Sequence, residues 1–277
     1  MKSLRIAFLG GGNMARALIG GLIGRGQSAA QLSVGEPAAA ARELLERDFK
    51  VRVSPDNGAA IDGCELLIVA VKPQEAGNVL RPLAPQLHAA RPVLVSVAAG
   101  IPIASFSSWV GPHVPIVRTM PNRPALIGAG ITGMYAASDV TADQRTLAEQ
   151  VMRAAGTAVW VGRESDLDVV TALSGSGPAY FFLLAELMMQ AAIGEGLDPA
   201  AARELAVGTL HGAGALAHAS DGDLARLRQE VTSRGGTTEA ALEAFAAADL
   251  SGIVTEAIHA ATRRGRELAS RFGESAK

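Results

Sequence analysis

The sequence predicts an α/β domain over residues 1–163 followed by an all-α domain over 164–277. Three observations carry this reading. Short β-branched runs alternate with helical patterns through the first half, a glycine-rich turn follows the first run, and beyond about Glu164 the runs give way to alanine- and leucine-rich helical segments.

The strand candidates are LRIAFLG (4–10), QLSVG (31–35), KVRV (50–53), ELLIVAV (65–71), PVLVSVA (92–98) and VPIVRTM (114–120). They are apolar throughout rather than alternating, as expected of parallel strands covered on both faces. GITGMYA (130–136) and TAVWVG (157–162) extend the sheet, with a helix over about 141–154 between them. Prolines 73, 82, 85 and 92 predict an irregular crossover after the fourth strand. In SDLDVV (165–170), Ser165 and Asp168 have the spacing of an N-cap pair. Helical segments follow at 178–195, 199–218, about 222–232, 237–247 and 249–271, separated by GLDP, SDGD, SRGG and AADL. The run AYFFLLAELMMQAAI is apolar nearly all round, which predicts a subunit interface, with the central helix of a monomeric bundle as the alternative.

Composition excludes several classes. Hydrophobic residues make up 49% and the net charge is −2, so bulk electrostatics give no reason to expect nucleic-acid or membrane-surface binding. The single cysteine, Cys64, rules out an intrachain disulfide framework and fits a reducing compartment; beside an apolar run it reads as a buried thiol. The apolar run after MKSLR ends within a few residues in three glycines, so no targeting segment is read, and no stretch reaches the ~18 apolar residues of a spanning helix. A cytoplasmic protein is expected. His88, His113, His211, His218 and His259 show no metal-ligand spacing, and no metal is expected.

Gly10-Gly11-Gly12-Asn13-Met14-Ala15 gives G-x-G-x-x-A between the first strand and the first helix. Gly10 permits the tight turn, Gly12 lets backbone approach a pyrophosphate, and Ala15 allows close helix–strand packing. The helix start offers free N–H groups and the positive end of its dipole to the phosphates. Strand, turn and helix together predict a Rossmann-like dinucleotide-binding domain. Glu36, in VGEP (34–37), lies near the position that selects the cofactor. A carboxylate there bonds the ribose 2′-hydroxyl of NADH and repels the 2′-phosphate of NADPH; alternatively Glu36 is a helix N-terminal acid directed to water. Arg42, a turn further on, could reach a phosphate. Both cofactors stay open, with an inclination to NADH.

Three more segments, AVKPQ (70–74), LSGSGPAY (173–180) and VTSRGGTT (231–238), occur in that order behind FLGGGNMA. Together they resemble the pyrroline-5-carboxylate reductase family over essentially the whole chain. The resemblance implies an NAD(P)H-dependent oxidoreductase of proline biosynthesis with a C-terminal dimerisation domain. By position it implies that Gly10, Gly11, Gly12, Asn13 and Met14 face the pyrophosphate, and that Glu36 and Asn57 face the adenosine. Ala70, Val71, Lys72 and Pro73, with Val97, Ala98 and Ala99, would line the nicotinamide side. Ser174 and Ser176 would lie at the domain junction, near the reacting ring. Val231, Ser233, Gly236, Thr237 and Thr238 would hold the substrate carboxylate across a homodimer of interlaced helical domains, and the family also forms larger rings of dimers. Two positions depart from the family pattern: Arg234 replaces a proline and Arg123 replaces a threonine.

The chemistry agrees with this motif set. Hydride transfer to a C=N carbon needs position and electrostatics from the protein, while the cofactor carries the difficult step. GGTTEAAL (235–242) suits an anion site because a helix start presents several N–H donors, although a capped helix–helix joint has the same pattern. Thr238 is the candidate hydrogen-bond partner of the imine nitrogen and the one catalytic residue expected. Two alternatives remain: another imine or hydroxyacid reductase, and a non-catalytic NAD(P)H-sensing regulator. The absence of lysine from PAYFFLLAELMMQAAIGEG counts against a hydroxyacid dehydrogenase, and TSRGGTT counts against a regulator.

Overall fold

The computed structural model describes residues 4–274, with side chains as far as residue 271. One eight-stranded sheet contains β1 (Ile6–Leu9), β2 (Leu32–Gly35), β3 (Arg52–Ser54), β4 (Leu66–Val69), β5 (Val93–Ser96), β6 (Ile116–Met120), β7 (Gly130–Ala136) and β8 (Gly156–Trp160). The order is β3-β2-β1-β4-β5-β6-β7-β8, and every pair is parallel except β6–β7. All eight runs expected from the sequence are strands. The chain steps outward from β1 to β3 and then returns to place β4 on the other side of β1. That reversal opens a crevice at the carboxyl ends of β1 and β4, where open α/β sheets bind ligands.

Every residue of β1, β2, β4 and β5 is buried. Successive side chains point to opposite faces, so each strand feeds two cores. Ile6 and Phe8, with Val34, Leu66, Ile68 and Val95, pack under Leu18 and Leu22 of the helix Asn13–Gly24. Ala7 and Leu9, with Leu67, Val69 and Leu94, pack under Leu80, Phe106 and Trp109. Burying one such large side chain stabilises the fold by about 1.5–3 kcal/mol, so a strand contributing to both layers is held from two sides.

The crossover between β4 and β5 is helical but broken, into Pro73–Leu80, a 3-10 turn Arg81–Leu83 and Ala84–Ala90, with a proline in the first turn of each piece. There the missing N–H costs nothing, because the first turn of a helix has no acceptor for it. Ser165 does not cap a helix: its backbone is helical and its side chain makes no cap bond. The Asp166 carboxylate instead accepts from the Arg163 N–H (3.0 Å) and guanidinium (2.8 Å), so the chain has already turned one residue earlier. The helix Asp166–Val170 then runs into a π-helical turn, Thr171–Gly175.

The chain forms two compact units. One runs to Ser176 and takes in the chain from Ala261 onward; the other is Gly177–Ala260. The change of unit thus falls later than the change of texture at 163/164, because the 166–170 helix covers β7: a Cβ on Gly133 would lie 2.6 Å from Val170. The second unit contains the helices Gly177–Gly194, Pro199–Ala219, Leu224–Glu230, Thr237–Ala247 and the first part of Leu250–Glu274. Asp198 caps the second of these through the N–H groups of Ala200 and Ala201, both at 3.1 Å. Phe181, Phe182, Leu183, Leu187, Phe245 and Ile253 are exposed in the single chain, which is the apolar surface expected of a subunit interface. Contrary to the sequence expectation, the run Asp166–Gly194 is long and apolar enough, by length and composition alone, to cross a membrane.

Candidate active site

The glycine-rich turn explains itself residue by residue. Gly10 has φ +92°, and its N–H donates to the Gly35 carbonyl at 2.8 Å, tying the end of β1 to the end of β2. A Cβ there would lie 2.9 Å from the Ala70 carbonyl oxygen, so both conformation and space demand glycine. A Cβ on Gly11 would meet Leu45 Cδ1 at 2.5 Å. At Gly12 the situation reverses: its φ is −70°, and a Cβ would meet no protein atom within 4 Å. The protein leaves room there, on the exposed rim of a helix start capped by a glycine with no side chain to offer. A dinucleotide pyrophosphate fits that cradle, and the N–H groups of Asn13 and Met14 belong to the same helix start. Ala15 is fully buried, as close helix–strand packing requires.

Glu36 is half-buried, and both its carboxylate oxygens are engaged. Its Oε2 accepts from the Gly11 N–H at 2.9 Å and its Oε1 from the Ala38 N–H at 3.0 Å, so the carboxylate closes over the glycine turn. Arg42 is held to the backbone, donating to the Glu36 and Pro37 carbonyls at 2.8 and 2.7 Å. Asn57 begins the helix Asn57–Ile61, and its Oδ1 occupies the place a Cβ on Gly35 would need. Glu36 and Asn57 therefore share the carboxyl end of β2.

The nicotinamide-side candidates follow β4 and β5. The Ala70 N–H donates to Leu9 O (2.9 Å), the Val97 N–H to Val69 O (3.1 Å) and the Ala98 N–H to Ser96 Oγ (3.2 Å). Val71 lies against Gly10, and Lys72 is the exposed cap of the helix that Pro73 opens. Pro73, Gln74, Ala99 and Gly100 share a small cavity of about 130 Å³ with Asp168 and Thr171. A larger cavity, about 330 Å³, lies against Arg16, Gly20, Phe49 and Leu126 and holds none of the expected site residues.

Ser174 and Ser176 sit on the π-helical turn. The Ser174 hydroxyl donates to Val170 O at 3.0 Å, which leaves its oxygen as an acceptor, and the Ser176 N–H donates to Thr171 O at 2.8 Å. Sequence reasoning missed what holds this segment. Arg118, buried on β6, reaches Glu164 at 3.1 Å and Asp168 at 3.8 Å. Asp168 is thus an ion-pair partner rather than half of a cap. Burial pushes its carboxyl above the usual carboxylate range, opposed by Arg118 and Arg266. Asn122, in a loop without an assigned role, donates to the Ser174 carbonyl at 3.0 Å. Its neighbour Arg123 is exposed at the start of a 3-10 turn.

In the second unit, residues 231–238 form a tight turn before the helix Thr237–Ala247. Gly235 has φ +72°, as its glycine predicts. Gly236 is different: its backbone is extended, and a Cβ would crowd Ser233, lying 2.5 Å from its Oγ and 3.0 Å from its carbonyl oxygen. The Gly236 N–H donates to Ser233 O at 3.0 Å. Glu239, which the sequence did not single out, accepts from the Gly235 N–H at 2.6 Å and closes the turn. No side chain caps the helix start at Gly236, so the N–H groups of Thr237 and Thr238 lie at an open N-terminus. Val231, Thr237 and Arg234 are exposed and Thr238 is half-buried. The residues expected around the dinucleotide, with Ser174 and Ser176, belong to the first unit; those expected on the substrate carboxylate belong to the second.

A reversed parallel sheet, a glycine cradle and an appended helical unit with an anion-ready turn define a nicotinamide-dependent oxidoreductase. A family model described as pyrroline-5-carboxylate reductase dimerisation matches residues 164–268, and one described as NADP oxidoreductase, coenzyme F420-dependent, matches 5–100. The pyrroline-5-carboxylate reductase of Pseudomonas aeruginosa is 43% identical over 99% of this chain and 100% of its own, and that of Synechocystis 38% over 96% and 98%. The solved pyrroline-5-carboxylate reductase of Coxiella burnetii superposes with a TM-score of 0.93 at 36% identity, covering 96% of this chain and 99% of that one. The Plasmodium falciparum pyrroline carboxylate reductase with NADP bound gives 0.83 at 26% identity, covering 97% and 99%. The chain belongs to the pyrroline-5-carboxylate reductase family. Its reaction is the nicotinamide-dependent reduction of the C=N bond of pyrroline-5-carboxylate, which yields proline, and its helical unit carries the family's dimerisation domain.

Proposed function

We propose that this reductase prefers NADH, holds the substrate's carboxylate on the 231–238 turn and engages the imine nitrogen through Thr238. The single observation behind the cofactor preference is the Glu36 carboxylate, fixed on the Gly11 N–H at the end of β2. A 2′-phosphate would meet that charge, and two unit charges ~4 Å apart repel by about 1–4 kcal/mol between water-like and surface-like screening. Arg42, the cation that could offset it, is engaged with two carbonyls.

When bound, the reduced nicotinamide supplies the hydride. Gly10 to Met14 receive the pyrophosphate, Glu36 and Asn57 the adenosine half, and Ala70 to Pro73 with Val97 to Ala99 the nicotinamide half. Ser174 and Ser176 flank the reacting ring. Val231, Ser233, Gly236, Thr237 and Thr238 grip the carboxylate through N–H and hydroxyl donors at the open helix start, with no charged side chain required. The Thr238 hydroxyl orients the imine nitrogen or relays a proton to it from water, because the iminium is the better hydride acceptor. The functional boundary between the two domains lies at 163/164. The enzyme works in the cytoplasm as dimers joined into a larger ring, without a membrane role; the single buried thiol, Cys64, suits a reducing compartment.

Glu36→Ser tests the cofactor reading. The ratio of kcat/KM with NADPH to that with NADH should rise about tenfold or more. An unchanged ratio would mean that the carboxylate does not face the ribose.

A further inference from the structure

β6 and its exit form a clamp on the segment that carries Ser174 and Ser176. Residues 118, 120 and 122 alternate along an extended stretch, and each meets that segment. Arg118 holds its beginning through Glu164 and Asp168. Met120 Cε lies so close to Gly175 that a Cβ there would sit 2.5 Å away. Asn122, only 8% exposed, uses both ends of its amide: Nδ2–H donates to the Ser174 carbonyl at 3.0 Å, and Oδ1 accepts from the Ile131 N–H at 2.9 Å. Only one orientation of the amide satisfies both partners, since the flipped form would set donor against donor and acceptor against acceptor.

The supported turn is π-helical, a rare geometry that occurs mostly as a single turn inside helices, frequently at functional sites. An α-helical register would move Ser174, Gly175 and Ser176 around the helix axis. The bond from Asn122 comes from outside the helix and is specific to the observed register.

We propose that Asn122 is a positioning residue for hydride transfer, acting through the Ser174 carbonyl to hold the Ser174–Ser176 turn against the reacting ring. This rests on the placement of that turn beside the nicotinamide proposed above. Both ends of the Asn122 amide are spent on protein backbone, so its effect is on the geometry of the reacting pair, where displacements of about 1 Å can cost up to ~10²-fold in rate.

Asn122→Asp tests this with a pH signature. The protonated acid can donate to Ser174 O and accept from the Ile131 N–H, as the amide does; the carboxylate keeps the Ile131 bond and loses the other donor. Burial at this position should raise the introduced carboxyl above the ordinary ~3.9 of an aspartate. Relative to wild type, kcat per folded enzyme should therefore fall about tenfold near pH 8 and recover to within about threefold as pH falls towards ~5 and the carboxyl takes up its proton. The dissociation constant for NADH, read by nucleotide fluorescence, should stay within about twofold at both values. A purely structural role would change the melting temperature and the folded fraction and leave that kcat ratio flat. Gly175→Ala crowds the flexible end of Met120 against the turn and should lower kcat modestly, without pH recovery. Loss in Gly175→Ala with wild-type kcat in Asn122→Asp would overturn the role of Asn122 and leave the placement of the turn standing. Wild-type kcat in Asn122→Asp at both pH values would overturn the proposal whatever Gly175→Ala does. If Asn122→Asp does not fold, Asn122→Ser, which keeps one donor, is compared with Asn122→Ala: a higher kcat in the serine variant supports the proposal, and equal values overturn it.

Discussion

The glycine-rich helix starts at Gly10–Met14 and at Val231–Thr238 are supported in different ways. In the first, glycine N–H groups are tied to a neighbouring strand: Gly10 to Gly35 and Gly11 to Glu36, across a sequence distance of about 25 residues. The strands beneath are buried on both faces. In the second, the bonds are local, Gly236 to Ser233 and Gly235 to Glu239, and the residues around them are largely exposed in the single chain. A cofactor cradle built into a sheet is complete when the domain folds. A turn held by its own short loop, in a unit with an exposed apolar surface, has no such support among the described residues of the single chain. Substitutions in the first region should therefore act on folding, and those in the second on kinetics.

The largest expected effect is at Gly10→Ala. A left-handed φ costs of order 1–3 kcal/mol for a residue with a side chain, and the clash with the Ala70 carbonyl adds to it. Denaturant unfolding should show a loss of about 3 kcal/mol or more, and wild-type stability would show that the turn can relax.

Arg118→Met comes next, because it strands Glu164 and Asp168 in a partly dry site. Removing one partner of a fully buried pair typically costs about 3–5 kcal/mol; with Glu164 partly exposed and Asp168 at 3.8 Å, a loss of about 2–3 kcal/mol is expected here. Asp168 adds a pH dependence whose sign is fixed. Its folded pKa is raised by burial, so the folded state binds the proton more tightly than the unfolded state. Stability therefore falls as pH rises from the ordinary carboxylate value through the raised one. Without the Arg118 cation the pKa rises further. The deficit of the variant relative to wild type should be smallest near pH ~4 and widen towards neutrality. A deficit independent of pH would remove Asp168 from the explanation.

Glu239→Gln should have the smallest effect and the most informative sign. The amide oxygen still accepts from the Gly235 N–H while the negative charge beside the open helix start disappears. The melting curve should hardly move, and KM for the anionic substrate should fall about two- to fivefold, the equivalent of ~0.5–1 kcal/mol near a helix N-terminus. A raised KM would mean that the charge orders the turn more than it repels the substrate.

The difference between the two regions also explains what could be read from the sequence. Uniformly apolar runs such as LLIV (66–69) announce strands covered on both faces, and G-x-G-x-x-A announces its turn, because those signals are local. Arg118 and Asn122 left no such mark: their partners are 46 and 52 residues away, and only the packing of the 166–170 helix on β7 brings them together. The same packing carries the compact unit past residue 163 to Ser176. Ser165 offered good capping chemistry, but Asp166 one residue later captured Arg163 instead. At Glu36 the residue type was legible and its direction was not, since that depends on an N–H from the turn after β1. At Gly236 it is crowding by Ser233, not a left-handed φ, that disfavours a side chain, and no local sequence signal announces that.

The central claim is that the 231–238 turn grips the substrate by its carboxylate. It is tested most directly by comparing kcat/KM for pyrroline-5-carboxylate with that for 1-pyrroline, which lacks the carboxylate, in wild type and in Gly236→Ala. Wild type should favour the carboxylate substrate by about 10²-fold or more, the worth of two charge-assisted hydrogen bonds at ~1.5–3 kcal/mol each. In folded Gly236→Ala, where the added methyl crowds Ser233, that preference should shrink about tenfold or more while 1-pyrroline reduction changes little. An undiminished preference in the folded variant would contradict the claim.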